Sequence, residues 1–162
     1  MIEFKQGQVD LAIDIMREVA QWGREKGLRV WMDEWLTRDL LITEEADPSC
    51  FYVAYVDKQP AACMILQWQD RLWWPDAPKY QAAYIHKLCV RRDFAGQGLP
   101  GACLDYAVKA CKSQGAEYVR LDTGWDEERM KVLYTSLGFE IVEKLERQKG
   151  KAMALYEYKI PD

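Results

Sequence analysis

Along three stretches of the chain apolar residues recur at helical spacing, and between them they condense into the short runs typical of strands. Residues 8–26 set Leu11, Ile15, Val19 and Trp22 against Asp10, Asp14, Arg17, Gln21 and Arg24, an amphipathic helix that Gly27 stops. A shorter helix is expected around Met32–Leu41, with Pro48 closing the loop after it. Phe51–Val56 and Ala61–Gln69 are rich in strand formers and are separated by Asp57-Lys58-Gln59-Pro60, which predicts an antiparallel hairpin. Residues 70–80, with two prolines and the Trp73-Trp74 pair, read as a loop, and Ala83–Arg91 as the next strand. In Leu99–Gln114, Ala102, Cys103, Ala107, Val108, Ala110 and Cys111 fall at helical spacing, with Asp105, Lys109 and Lys112 outside and Gly115 at the end. Tyr118–Asp122 is a short strand. Asp126 is then expected to cap a helix with Glu127 and Glu128 in its first turn, where acidic groups meet the positive end of the dipole, and Met130, Leu133, Tyr134 and Leu137 on its buried stripe. Phe139–Leu145 and Met153–Lys159 form a last pair of strands joined by a charged loop containing Gly150.

The order is strand, two helices, three strands, helix, strand, helix, two strands. It predicts one mixed α/β domain over residues 1–162, built on a twisted, mostly antiparallel sheet with about four helices on its faces. In such folds ligands gather at the carboxyl ends of strands, which singles out the junctions Val90–Leu99 and Asp122–Glu127.

The first junction runs from a strand through Ala95-Gly96-Gln97-Gly98 directly into a helix beginning Leu99-Pro100-Gly101-Ala102. A helix start offers unpaired N–H groups and a positive dipole end to a phosphate, and glycines let an anion approach the backbone. Pro100 has no N–H to give, but its fixed φ suits a first helical turn. A glycine pair of this kind also occurs in helix-starting loops that bind nothing.

Three segments in order make the context more specific. Ile85-His86-Lys87-Leu88-Cys89-Val90 with Arg91-Arg92-Asp93-Phe94-Ala95-Gly96-Gln97-Gly98-Leu99 resembles the coenzyme A signature of the GNAT superfamily of N-acetyltransferases. Leu121-Asp122-Thr123 and Leu133-Tyr134-Thr135-Ser136-Leu137-Gly138-Phe139 resemble that family's next strand and its tyrosine-bearing helix. The likeness covers about residues 83–142. It implies a GNAT-like fold and acetyl coenzyme A as cofactor, with the backbone of Leu88, Cys89 and Val90 pairing with the pantetheine arm. By the same likeness Ala95, Gly96, Gln97, Gly98, Leu99, Pro100, Gly101 and Ala102 hold the diphosphate, and Tyr134 protonates the departing thiolate. Three positions depart from the pattern: Ala95 where the family often has Arg or Gln, Pro100 where it prefers Gly or Ala, and Glu127 where many members carry Asn at a pantetheine contact.

Direct acetyl transfer needs a neutral amine, a polarised carbonyl and a proton for the leaving sulfur. An alkyl amine with a pKa of ~10.4 gives up ~4–5 kcal/mol to be neutral near pH 7. Tyr134, with an ordinary phenol pKa of ~10, holds a proton to donate, although a tyrosine on a buried stripe is by itself an ordinary core residue. His86, the only histidine, would share a strand face with Leu88 and Val90 and is a candidate acceptor of the amine proton, against the plain reading of a structural histidine. Asp122 is a candidate partner for an ammonium group. Of seven tryptophans, Trp31, Trp35, Trp73 and Trp74 precede the cofactor segment and are candidates for an aromatic wall around a flat or cationic acceptor, or else simple packing.

The formal charge of -4 provides no strong positive field for nucleic acid or an anionic membrane and mildly favours a cationic acceptor. Five cysteines without a C-x-x-C pair read as reduced thiols, and no apolar stretch reads as a signal peptide or membrane span, so a cytoplasmic location is expected. No metal is expected. The expectation is therefore acetyl transfer to a small-molecule primary amine by a monomer or homodimer. Two alternatives stand beside it: a protein amino group as acceptor, and a domain that senses acyl-coenzyme A without turnover.

Overall fold

The computed structural model describes residues 1–146 and 151–162, and the charged loop expected around Gly150 lies outside the described residues. The elements are β1 (Ile2–Gln6), α1 (Val9–Glu25), α2 (Arg38–Leu41), β2 (Phe51–Val56), β3 (Gln59–Gln67), β4 (Ala82–Val90), α3 (Leu99–Gln114), β5 (Tyr118–Gly124), α4 (Glu128–Ser136), β6 (Glu140–Glu146) and β7 (Ala152–Lys159). Neighbouring strands follow the order β1-β2-β3-β4-β5-β7-β6. The chain groups into two units, Met1–Gln67 with Lys87–Leu104 and Trp68–His86 with Asp105–Asp162, so β4 and α3 give residues to both.

In the first unit β1, β2 and β3 pair antiparallel. Asp57 and Lys58, with φ of 47° and 69°, form a two-residue turn of left-handed residues, whose twist matches the flanking strands. The turn is thus shorter than the four residues expected, and β3 starts at Gln59. Pro60 fits within β3 because it lies opposite Tyr55 at a register shift, where a missing N–H disturbs the ladder least. Helix α1 buries Val9, Ala12, Ile13, Ile15, Met16 and Ala20 in a core with Leu36, Phe51, Val53, Cys63 and Ile65. The buried face is therefore turned from the expected one: Leu11 and Val19 are only partly covered, and small residues run down its centre. Gly23 completes that line, since a Cβ there would stand 2.2 Å from Val30 Cγ1. The helix expected over Met32–Leu41 is not one element. A 3-10 turn at Asp33–Trp35 ends at the fully buried Leu36, and Thr37 then caps a single turn, α2, accepting from Leu40 N–H at 3.3 Å.

In the second unit β4 and β5 run parallel and pair from Ala82↔Tyr118 to Tyr84↔Arg120, while β5 pairs antiparallel with β7 over its whole length and β7 with β6. The N-cap position of α4 falls on Glu127 rather than the expected Asp126, and the Glu127 side chain makes no cap hydrogen bond to the helix. The Glu127 carboxylate turns back on Gly124 and accepts its N–H at 2.6 Å, which closes the turn between β5 and α4. Tyr134, buried on α4, meets Phe139 and Tyr156 edge-on at 5.8 and 5.7 Å.

Candidate active site

The two junctions singled out by the sequence carry different chemistry. In the first unit β4 ends at Val90, a 3-10 turn spans Arg92–Phe94, and Ala95–Gly98 leads into α3. Gly96 and Gly98 take φ of 78° and 77°, a region open at little cost only to glycine, and nothing lies within 4 Å of where a Cβ would stand on either. The turn therefore faces open space with its backbone bare. The first helical hydrogen bond runs from Ala102 N–H to Gly98 C=O at 3.0 Å, so the N–H groups before Ala102 precede the helical ladder. Leu99, fully buried among Ala54, Ala61, Ala62, Val90 and Phe94, fixes the helix start to the core. Pro100 at the second helical position costs none of that ladder. A bare backbone turn at the positive end of a sixteen-residue helix is a cradle that suits a diphosphate, so the residues present fit coenzyme A in this place.

Just before the turn, Leu88 and Val90 are half-buried and Cys89 is buried. Lys87 has φ of 53°, unusual for a residue with a Cβ, and places a left-handed kink inside β4. The alternation of faces assumed for His86, Leu88 and Val90 is therefore not carried through Lys87. Arg91 donates to Glu18 at 2.8 Å and to Pro60 C=O at 2.9 Å. Trp31 is half-buried with Lys87 Nζ 5.2 Å from its ring, whereas Trp35 is half exposed.

In the second unit the parallel pairing of β4 with β5 ends at Tyr84↔Arg120. Two residues further along each strand, on the same face, stand His86 and Asp122, with Nδ1 3.6 Å from Oδ1. The loop expected at residues 70–80 brings a third group that sequence reasoning missed: Asp70 Oδ2 lies 3.0 Å from His86 Nε2. Asp70 is placed by its own turn, where Oδ1 accepts Trp73 N–H at 3.2 Å and its C=O accepts Trp74 N–H at 2.8 Å. The side chains of Asp70, His86 and Asp122 are 5%, 19% and 14% exposed, so the cluster is enclosed but reachable. One ligand atom from each of the three lies within 4.8 Å of the others, a spacing that also admits a metal ion. The only sequence signal for Asp70 was an aspartate opening a turn.

Trp74 is committed to packing, with the Arg120 guanidinium 4.3 Å from its ring and Tyr84 at 6.2 Å, and Trp73 is half-buried beside it. Around Tyr134, Tyr156 Oη pairs with Thr123 Oγ1 at 3.0 Å, and burial pushes the Tyr156 phenol up from its ordinary value, against the pull of that hydrogen bond. Glu127, expected near the pantetheine arm, has one carboxylate oxygen engaged by Gly124 N–H.

No helix among the described residues is long and apolar enough to cross a membrane. Sequence comparison finds the chain 28% identical over 134 residues to the uncharacterized N-acetyltransferase YesJ of Bacillus subtilis, covering 79% of this chain and 74% of that protein. Among solved structures, a GNAT-family acetyltransferase of Listeria monocytogenes superposes with a TM-score of 0.73 at 23% identity, covering 98% of this chain and 94% of that one. A Bacillus anthracis protein assigned as a streptothricin acetyltransferase and solved with acetyl coenzyme A superposes at 0.62 with 15% identity, over 82% of this chain and 73% of that one. The acetyltransferase (GNAT) family profile matches residues 16–139. With a mixed α/β fold of the same kind and a glycine turn fit for a diphosphate, the chain belongs to the GNAT family and is an acetyl-coenzyme-A-dependent acetyltransferase.

Proposed function

We propose that this enzyme acetylates the primary amine of a small molecule, with His86 taking the proton of the amine and Tyr134 returning one to the departing thiol. The observation that carries the reading is the enclosed anionic pair at the end of the β4–β5 pairing: two carboxylates flank the sole imidazole, and none of the three side chains is more than 19% exposed. A seat of that polarity and depth favours a compact cationic amine over an amino group borne on a folded protein surface.

The bound thioester would supply an activated acetyl carbonyl and a thiolate leaving group. The chain has three tasks. The N–H groups at the start of α3 and the glycine turn hold the diphosphate, and the backbone of Leu88, Cys89 and Val90 orients the pantetheine arm. Asp122 attracts the ammonium form of the acceptor, and His86 removes one proton, offsetting the ~4–5 kcal/mol by which a free alkyl amine resists deprotonation near pH 7. The amine nitrogen would then bond to the acetyl carbon as the carbon–sulfur bond breaks; the phenol of Tyr134 gives its proton to the sulfur and is restored by the second proton, which leaves the newly acylated nitrogen, so that only His86 is left with a proton to pass to solvent. Trp31, Trp35, Trp73 and Trp74 are proposed to border the acceptor. Trp74 does so as a fixed surface, given its stack with Arg120.

The test is thiol release from acetyl coenzyme A across a panel of small diamines, amino sugars, amino acids and lysine-bearing peptides. Release stimulated by small amines at least tenfold above that by peptides is expected. Stimulation by peptides alone would replace the small-molecule acceptor with a protein one, and tight cofactor binding without amine-stimulated release would identify a sensor.

A further inference from the structure

Asp70 is deeply buried, at 4% exposure, and among the described residues its Oδ2 accepts no hydrogen bond even though His86 Nε2 stands 3.0 Å away. Contact distance is met and donor direction is not, an arrangement frequent in catalytic pairs that tighten only when substrate arrives. A carboxylate can only accept, whereas a neutral imidazole donates through one nitrogen and accepts through the other. Both ring nitrogens of His86 face carboxylates, Nε2 toward Asp70 and Nδ1 toward Asp122. A single ring proton can therefore satisfy only one side. The two sides are unequal: Asp70 Oδ2 is without a partner and fully enclosed, and the side chain of Asp122 is the more exposed of the two. The proton gains most on Nε2, where a small turn of the ring brings the N–H onto a buried negative oxygen.

We infer that Asp70 is a positioning residue that holds His86 as the Nε2–H tautomer, so that the Nδ1 lone pair and Asp122 Oδ1, 3.6 Å apart, form a two-acceptor seat for a group carrying at least two N–H bonds. A primary ammonium fits: one N–H donates to Asp122 Oδ1 and another to Nδ1. When Nδ1 takes that proton the amine becomes neutral and the imidazole becomes an imidazolium, whose positive charge lies between the Asp70 and Asp122 carboxylates while its Nδ1–H still faces the amine nitrogen. No other reactant is consumed. A tertiary ammonium has one N–H and satisfies half the seat, and a quaternary one has none. The inference rests on the amine-acetylating reading for its occupant, but the tautomer belongs to the protein alone.

With one histidine in the chain, ring-labelled ¹⁵N-histidine gives a single, self-assigned imidazole. Long-range ¹H–¹⁵N correlations on the whole protein, recorded on the alkaline side where the pattern no longer changes with pH, should show Nε2 protonated and Nδ1 as the lone-pair nitrogen. Asp70→Asn keeps the shape and an oxygen for Trp73 N–H but removes the charge, and should give a mixed or reversed tautomer with the circular dichroism unchanged. Asp70→Glu should restore the wild-type pattern at least in part. Should Asp70→Asn fail to fold, the wild-type tautomer and Asp122→Asn, which should leave it unaltered, still decide. Methylammonium chloride should move the Nδ1 resonance saturably, tetramethylammonium chloride at equal ionic strength should not, and Asp122→Asn should shrink the methylammonium shift severalfold. An Nδ1–H tautomer, a tautomer indifferent to Asp70→Asn, or no methylammonium shift overturns the inference. So does stoichiometric binding of Zn²⁺ at micromolar concentration that displaces the ring proton and is lost in Asp70→Asn, since the cluster would then be a metal centre. Amine-stimulated thiol release with the wrong tautomer sinks this inference alone, and the right tautomer with no amine turnover sinks the acetylation reading alone.

Discussion

The Arg120 guanidinium lies 4.3 Å from the centre of the Trp74 ring while donating to Tyr84 Oη at 2.9 Å and pairing with Glu157 at 2.9 Å. Arg120 and Tyr84 are the last residues of the β4–β5 pairing, one step along the same strand face from Asp122 and His86. The cation thus ties the loop that carries Asp70 to the sheet beneath it.

Breaking that tie should cost stability first. The Arg120 side chain is 7% exposed, and Arg120→Met leaves Glu157, Tyr84 Oη and Gln81 Oε1 without their donor. Removing one partner of a buried pair costs about 3–5 kcal/mol, and the 23% exposure of Glu157 argues for the lower end. Arg120→Lys should recover little, because an ammonium lacks the planar fork that serves several acceptors at once. Urea denaturation at neutral pH measures both, and a loss under 1 kcal/mol for Arg120→Met would show that the loop is held by other contacts.

At the glycine turn, Gly98→Ala should act through the backbone alone. No atom lies within 4 Å of the added carbon, but φ of 77° is left-handed, which costs a residue with a Cβ about 1–2 kcal/mol. The variant either bears that strain or relaxes the turn, and a relaxed turn no longer aims its N–H groups at one point. Titration calorimetry should show coenzyme A affinity falling about tenfold or more, since a misaimed anion contact of about 1.4 kcal/mol is worth that factor. Unchanged affinity would remove the turn from the diphosphate site.

Sequence patterning served well where a signal is local. Helix α3 was read to its ends, Leu99 and Gln114, because regular apolar spacing and Gly115 bound it on both sides. Around Met32–Leu41 the same reasoning merged two elements. The burial of Leu36 and the Thr37 cap are tertiary and side-chain facts that a propensity average smooths over. The split of the site was equally physical. His86 could be nominated as the one histidine, within a strand, and Asp122 from a strand end, but Asp70 joins them only through the folding back of the loop after β3, and an aspartate before Arg71-Leu72-Trp73-Trp74 looks like any turn residue. The left-handed Lys87 left no mark in the residue type, so the face count through β4 failed there.

Tyr134→Phe keeps the ring held by Phe139 and Tyr156 and removes only its oxygen, so folding should change by no more than the net worth of a hydrogen bond, about 1.5 kcal/mol. Loss of a positioned general acid costs about 10²–10⁴ in rate. We expect kcat to fall by about 10² or more with coenzyme A affinity within about threefold of wild type, read by stopped-flow thiol release and by calorimetry. Turnover that stays within a factor of about two removes the phenol from the acid role.

Alkaline pH should loosen the fold through thiols that no chemistry uses. Burial pushes Cys103 on α3 up from its ordinary 9.0 to about 12, and Cys111 to about 11. A raised thiol pKa means the folded chain keeps a proton that the unfolded chain releases, so the stabilisation is complete below pH 9.0 and is lost as the pH climbs through the folded values of about 11 and about 12. Each pH unit in that window removes up to about 1.4 kcal/mol per fully buried thiol, so Cys103 alone should cost about 2 kcal/mol between about pH 9 and pH 10.5. The contribution of Cys111, whose value is raised less, should be smaller. Cys103→Ala loses packing at a fully buried position and should be less stable than wild type near pH 8, yet its stability should fall less steeply above about pH 9. Urea midpoints of the two proteins across that range decide it: parallel slopes would mean that Cys103 ionises as readily in the folded chain as in the unfolded one.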